Sequence, residues 1–238
     1  MNKLSDRLNR LSYSQTFVMS NKARDMKAAG IDVISLTLGE PDFDVPDNIK
    51  KAAFDAINEN YSHYSPVPGF LELRKAIVNK LKRDNNLDYK PTQICVANGA
   101  KQNIFNVLAA LVNEGDEVIL PAPYWVSYDE MVKINGGVSV FIETNIDTEF
   151  KMTAEQLEAA ITPKTKAVLY SSPCNPSGSY YTREELEKIA NVMAKYPYVT
   201  IISDEIYEYI NYDGKHTSIA EFPQVYEQTA VINGMSKA

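Results

Sequence analysis

The chain has 238 residues, 45% of them apolar and 23% charged, enough to bury a core in one large domain or two small ones. Its net charge of −7 disfavours nucleic acid and anionic membranes as main partners, because phosphate backbones are bound by excess Lys and Arg. Two cysteines, Cys95 and Cys174, and two histidines, His63 and His216, show no metal-ligand spacing; this excludes a zinc or iron constellation and suits a reducing cytoplasm.

Met1 to Met19 mixes Lys3, Asp6, Arg7 and Arg10 with scattered apolar residues and reads as neither a signal peptide nor a membrane span. Leu36 to Pro46 is rich in turn formers (Gly39, Pro41, Asp42, Pro46) and marks a crossing from an N-terminal subdomain into a sheet domain. Asp47 to Asn58 and Phe70 to Arg83 have helical spacing, with Leu73, Ile77 and Leu81 on one face. From residue 93 onward, short β-branched runs alternate with helical patterns, as βαβ units do. Ile94 to Ala97, Val118 to Leu120, Val138 to Ile142, Ala167 to Tyr170, Val199 to Ile202 and Ala230 to Ile232 read as buried, mostly parallel strands of one twisted sheet. Between them, Lys101 to Val112, Ser127 to Ile134, Ala154 to Ile161 and Arg183 to Lys195 read as helices. Thr153 and Thr182 read as N-caps, and Thr182 with Glu185 makes a capping box.

A doubly wound sheet binds ligands beyond the carboxyl ends of its strands, so the informative residues are the polar ones just after each apolar run. Asn98-Gly99-Ala100-Lys101-Gln102 is a small-residue turn opening a helix, suited to a phosphate or simply to a turn. No G-x-G-x-x-G or Walker pattern accompanies it, which argues against a dinucleotide or an NTP. Trp125, the only tryptophan, follows Pro121-Ala122-Pro123-Tyr124 and either stacks on a flat ring or anchors an interface. Asn175, within Ser172-Pro173-Cys174-Asn175-Pro176-Ser177-Gly178, either donates its amide to a ligand or caps its own turn, and Cys174 reads as a packing residue. Asp204 closes a buried strand and needs a partner, which a pyridinium N–H would supply; Tyr207 can face the same pocket, whereas Tyr209 and Tyr212 read as surface residues. Ser236 and Lys237 follow the last strand; a lone lysine there is usually a solvated charge, but here it completes a set.

These residues match a family. The chain resembles the class I aminotransferases of pyridoxal-phosphate (PLP) fold type I, above all the bacterial aspartate aminotransferase-like branch, over essentially its whole length. Leu38-Gly39-Glu40-Pro41-Asp42-Phe43 is similar to the family's glycine-loop motif, and His63-Tyr64-Ser65-Pro66 with Gly69 to its tyrosine segment. Asn175-Pro176-Ser177-Gly178, Asp204-Glu205-Ile206-Tyr207 and Ser236-Lys237 are similar to its asparagine, aspartate and lysine motifs.

The resemblance implies that Lys237 forms a Schiff base with the cofactor and moves the substrate proton. It implies that Asp204 keeps the pyridine nitrogen protonated, that Asn175 and Tyr207 bond the phenolic oxygen and that Trp125 stacks on the ring. Gly99, Ala100, Lys101 and Ser236 are expected to hold the phosphate, with Tyr64 reaching the phosphate of a neighbouring subunit in a homodimer. Gly39, Trp125, Asn175 and Lys101 are expected around the substrate, with Lys101 facing the distal carboxylate of aspartate or glutamate as the amino donor to a 2-oxo acid. Residues 1–45 are expected to form an N-terminal arm and part of an incomplete small domain, and 46–238 the large PLP-binding domain. The family continues past the lysine, where its phosphate-binding and carboxylate-binding arginines lie, so a chain ending at Ala238 is expected to transaminate poorly. Three rival readings remain: a transaminase for aromatic or prephenate-like substrates or a β-lyase on the same scaffold, a PLP-binding regulatory domain, and a fragment that binds nothing.

Overall fold

The structure, a computed structural model, describes residues 4–13 and 15–237. They fall into two compact units, one of residues 1–39 with 98–238 and one of residues 40–97. The boundary expected at residues 45/46 lies in the loop that begins the second unit.

The first unit opens with helix α1 (Gln15–Ala28), which the sequence reading did not anticipate. Phe17, Val18 and Met19 are exposed and Ala23 is buried, so α1 lacks the continuous apolar stripe that periodicity detects. The second unit carries α2 (Asp47–Asn58) and α3 (Leu71–Asn85). Of the expected apolar face of α3, Leu81 is buried but Leu73 is exposed. The run Ile94 to Ala97, expected as a strand, is none: the Val96 N–H donates to Pro68 O at 3.1 Å and the Ile94 N–H to Pro91 O at 3.3 Å. Turn carbonyls of the same unit satisfy the run, which removes its need for a sheet partner. Arg74 locks this turn by donating to Gly69 O at 3.1 Å and Pro91 O at 2.8 Å. Gly69 is required there, because its φ is +97° and a Cβ would stand 2.8 Å from Val96 Cγ2.

The other five expected strands form the sheet of the first unit. They are β1 (Glu117–Ala122), β2 (Val138–Glu143), β3 (Thr165–Ser171), β4 (Thr200–Asp204) and β5 (Thr229–Ile232), all paired in parallel in the order β2-β1-β3-β4-β5. Helices α4 (Ala100–Leu111), α5 (Ser127–Ile134), α6 (Ala154–Ala160) and α7 (Arg183–Met193) cover it. Side chains alternate across a strand, so each strand feeds two cores. Val118, Leu120, Ala167, Leu169, Ile202 and Ile232 pack with α4 and α5 on one face. Ile119, Val168, Tyr170 and Ile201 pack with α6 and α7 on the other. Each fully buried aliphatic side chain contributes about 1.5–3 kcal/mol, and it is the two-sided burial that makes these runs apolar throughout. Thr153 and Thr182 cap α6 and α7 in capping boxes, their Oγ1 accepting from Gln156 and Glu185 N–H at 3.2 and 3.3 Å.

The chain runs from β1 outward to β2 and then returns to the other side of β1 for β3, so the winding reverses between β1 and β3. A doubly wound sheet opens its crevice at such a point, at the carboxyl ends of the strands.

Candidate functional site

The polar residues at these strand ends converge. Asp204, the last residue of β4, is only 3% exposed. Its Oδ2 accepts from Tyr128 Oη at 2.5 Å and its Oδ1 from the Ile206 N–H at 3.2 Å. Burial raises its pKa to about 6, against the opposing pull of those two hydrogen bonds. Burial, then the Asp204 charge, lifts Tyr128 well above the ordinary phenol range. At neutral pH the proton therefore stays on Tyr128, which donates to an anionic Asp204.

Tyr128 sits in the first turn of α5, its N–H bonded to Trp125 O at 2.9 Å, so Trp125 and Tyr128 share one side of the turn. Their rings meet edge to face at 5.5 Å and 88°. Lys101 Nζ lies 4.8 Å from the Trp125 ring centroid.

After β3, two backbone bonds wind the 172–179 turn, Cys174 N–H to Ser179 O and Gly178 N–H to Cys174 O, both at 2.8 Å. This fixes Asn175, whose Nδ2 donates to Tyr207 Oη at 3.3 Å. Tyr207 lies on the turn that follows β4, held by the Glu208 N–H to Glu205 O bond at 3.0 Å, and burial raises its pKa. Cys174 packs its sulfur 3.6 Å from Pro123 O.

After β5 the loop passes the start of α4: a Cβ on Gly234 would lie 3.1 Å from Ile206 Cδ1 and 4.0 Å from Ala100 N. Gly99 is the N-cap of α4 with φ +83°, and the first amides of the helix have no acceptor within it. Ser236 in this loop is exposed, and Lys237 Nζ donates to Gly39 O at 2.6 Å. The structure thus brings together, within the first unit, Asp204 with Trp125 by way of Tyr128, Asn175 with Tyr207, and Lys237 with Gly39. Tyr64 belongs to the second unit and is fully exposed there.

Sequence reading missed the residues that hold these groups from behind. Tyr128 and Ser171 are two; the only signal was that Tyr128 follows Trp125 by three residues and that Ser171 ends a strand. Glu205 is a third: it is 1% exposed, and its Oε1 accepts from Ser203 Oγ at 2.9 Å and Ser218 Oγ at 2.7 Å while Oε2 meets His216 Nε2 at 2.9 Å. That cluster closes the 205–218 loop onto the end of β4. Among the described residues no three or more His, Cys, Asp or Glu are grouped to hold a metal, and no helix is long and apolar enough to cross a membrane.

A two-faced parallel sheet with this rim is the large-domain architecture of fold type I, and residues 31–238 match the family described as aminotransferase class I and II. The chain belongs to that family, whose aspartate aminotransferases are PLP-dependent. It is 52% identical over 237 residues to the aspartate aminotransferase of Bacillus sp. (strain YM-2), covering 99% of this chain and 60% of that one. It is 51% identical over 237 residues to a probable aspartate/prephenate aminotransferase of Rhizobium leguminosarum bv. phaseoli, with 99% and 59% covered. The solved aspartate aminotransferase from Thermus thermophilus with maleate superposes with a TM-score of 0.95 at 40% identity, covering 100% of this chain and 61% of that one. The chain spans about three fifths of the length of the relatives it matches.

Proposed function

We propose that this chain carries the cofactor-binding machinery of a PLP-dependent aminotransferase acting on aspartate or glutamate. The observation that carries the reading is Asp204: a buried carboxylate at a strand mouth, held anionic by Tyr128 and Ile206. A buried negative charge without a cation is costly, and a protonated pyridine nitrogen is a fitting partner. Asn175 and Tyr207 form a ready pair for the phenolic oxygen, Trp125 an aromatic face, and the α4 N-terminus with Ser236 a set of phosphate donors. Residues 46–238 serve as the large domain in this reading. The donor set fits PLP, which when bound supplies an electron sink for charge developing on the substrate's α-carbon.

The chain's own residues divide the remaining work. Lys237 Nζ would be the point of attachment for the cofactor and, once displaced from it by the substrate's amino group, would be the free amine that takes the proton from the substrate Cα and gives it back. Asp204 would face the ring nitrogen and favour its protonated form. Lys101, beside Trp125, faces the distal carboxylate of an acidic substrate, and Gly39 lies near the α-carboxylate. Tyr64 reaches the phosphate of a second subunit, which makes the enzyme a homodimer, and the free Cys95 and Cys174 suit a cytoplasmic enzyme.

Prephenate-like oxo acids are a second acceptor class; the Rhizobium relative's name favours it. The test is a single turnover by the PLP-loaded enzyme that carries this sequence. L-aspartate is expected to yield about one equivalent of oxaloacetate per site and no free ammonia. Ammonia and pyruvate from a substrate with a β-leaving group, without amino transfer, would establish a β-lyase instead.

A further inference from the structure

We propose that Glu205 and His216 are positioning residues for Tyr207: their buried contact anchors the turn that presents the Tyr207 phenol to Asn175. The proposal rests on the reading above, in which Asn175 with Tyr207 meets the phenolic oxygen of PLP.

Asp204 and Glu205 part at the end of β4. Side chains alternate across a strand, so Asp204 meets Tyr128 in the site while Glu205 turns with Ser203 to the opposite face. There Glu205 Oε1 accepts from Ser203 Oγ at 2.9 Å and from Ser218 Oγ at 2.7 Å, and Oε2 lies 2.9 Å from His216 Nε2. The side chains of His216 and Glu205 are only 7% and 1% exposed. A carboxylate is acceptor-only, and these three side chains bring it donors from β4 and from the far end of the loop. Ser218 is itself fixed, its Oγ accepting from the Ala220 N–H at 3.3 Å and its N–H donating to Glu221 Oε1 at 3.2 Å. Ile219 and Phe222, which follow it, are buried in the core beneath α6 and α7. The Glu205 side chain is thus tied to the core.

The turn that carries Tyr207 starts from that anchor. The Glu205 N–H donates to Ile232 O at 2.8 Å, the Glu208 N–H to Glu205 O at 3.0 Å and the Ile210 N–H to Tyr207 O at 2.8 Å. Tyr207 Oη accepts from Asn175 Nδ2 at 3.3 Å, near the long end of the useful range, so a small rotation of the turn breaks the bond. A buried ion pair adds little net stability over apolar packing of the same volume. What Glu205 and His216 contribute is the direction of the turn.

The test compares the chain as it stands with His216→Leu and His216→Gln, the latter keeping an N–H at similar reach. The first measurement, without cofactor, is the position of the Asn175 side-chain amide in a nitrogen-15 correlation spectrum, with Tyr207→Phe as the reference for a lost bond. His216→Leu is expected to move the amide most of the way to that reference, and His216→Gln to leave it near its original place. The second is PLP affinity by fluorescence titration, expected to weaken about fivefold in His216→Leu and to recover in His216→Gln. Val225→Ala, a change in the same core away from the cluster, is expected to lower the urea midpoint while moving neither readout. An unmoved amide in folded His216→Leu overturns the proposal, and so does an equal displacement in His216→Gln or in Val225→Ala. If circular dichroism shows that His216→Leu does not fold, Ser218→Ala, which removes another donor to Glu205, decides by the same criteria. A moved amide with unchanged affinity overturns the proposal where Tyr207→Phe itself weakens PLP. Where Tyr207→Phe leaves affinity unchanged, it is the parent reading of Tyr207 that fails, while the cofactor-free spectrum still decides whether Glu205 and His216 set the turn.

Discussion

The two ends of the strand rim are built differently. At the β4 end, Asp204 is buried and held by Tyr128 and Ile206, and Asn175 and Tyr207 hold each other. At the β5 end, Ser236 is exposed, and Lys237 is half-buried and spends its ammonium on one backbone carbonyl, Gly39 O. The first end is organised by the protein's own bonds before any ligand arrives; the second carries reactive groups with few constraints. A site that orders its electrostatic end beforehand loses less entropy on binding. It also leaves the amine free to move between bonding partners.

Asp204→Asn tests that contrast with the largest effect. PLP affinity is expected to fall about 100-fold, since a charge-assisted buried bond is replaced by a neutral one. Cofactor-free stability is expected to move the other way. The folded pKa of Asp204 is about 6 against 3.8 for the free group, so the folded state holds its proton more tightly and stability falls as pH rises from 3.8 through 6. The asparagine variant is therefore expected to be about 2–3 kcal/mol more stable than the original at pH 8, a gain that disappears below pH 3.8. Urea unfolding at the two pH values checks it. Equal stability at both would mean that the carboxylate is not buried as described.

Asn175→Ala comes next. It removes the donor to Tyr207 and is expected to weaken PLP about tenfold in an equilibrium titration, with little change in the pH dependence of unfolding. Were it to shift the Asp204-linked transition as strongly as a change at Tyr128, the Asn175–Tyr207 pair and the Tyr128–Asp204 pair would not be the separate groups described. Lys101→Ala is the smallest perturbation. Its ammonium over Trp125 is an open cation–π contact worth about 0.5–1 kcal/mol, so PLP affinity is expected to change less than about fivefold. The Michaelis constant for aspartate, measured against that for an aromatic substrate, should rise more. An equal change for both substrates would remove Lys101 from substrate selection.

Much of the rim could be read from the sequence, for a physical reason. A strand buried on both faces must be apolar throughout, so the first polar residues after Val199 to Ile202 and Ala167 to Tyr170 mark the strand mouths, and Asp204 and Asn175 stand there. The same logic misread Ile94 to Ala97, because a short β-branched run can also satisfy its backbone on turn carbonyls such as Pro68 O. Helix α1 escaped because its apolar residues face several ways. The hidden partners were out of reach for a different reason. Tyr128 and Asp204 are 76 positions apart, and only the sheet order, with α5 packed over β1 and β3 standing between β1 and β4, brings them to 2.5 Å. His216 and Glu205 meet likewise only once the 205–218 loop closes. Their types gave no warning, since a tyrosine on a helix and a histidine in a loop are ordinary.

The central claim is that the amine of Lys237 is the point of covalent attachment for PLP. The most direct measurement is to load the protein with PLP, reduce with borohydride and map the modified peptide by mass spectrometry. The account predicts one adduct per chain, on Lys237, reduced to background by Lys237→Ala. An adduct at Lys101 or any other lysine, or one undiminished in Lys237→Ala, would contradict it.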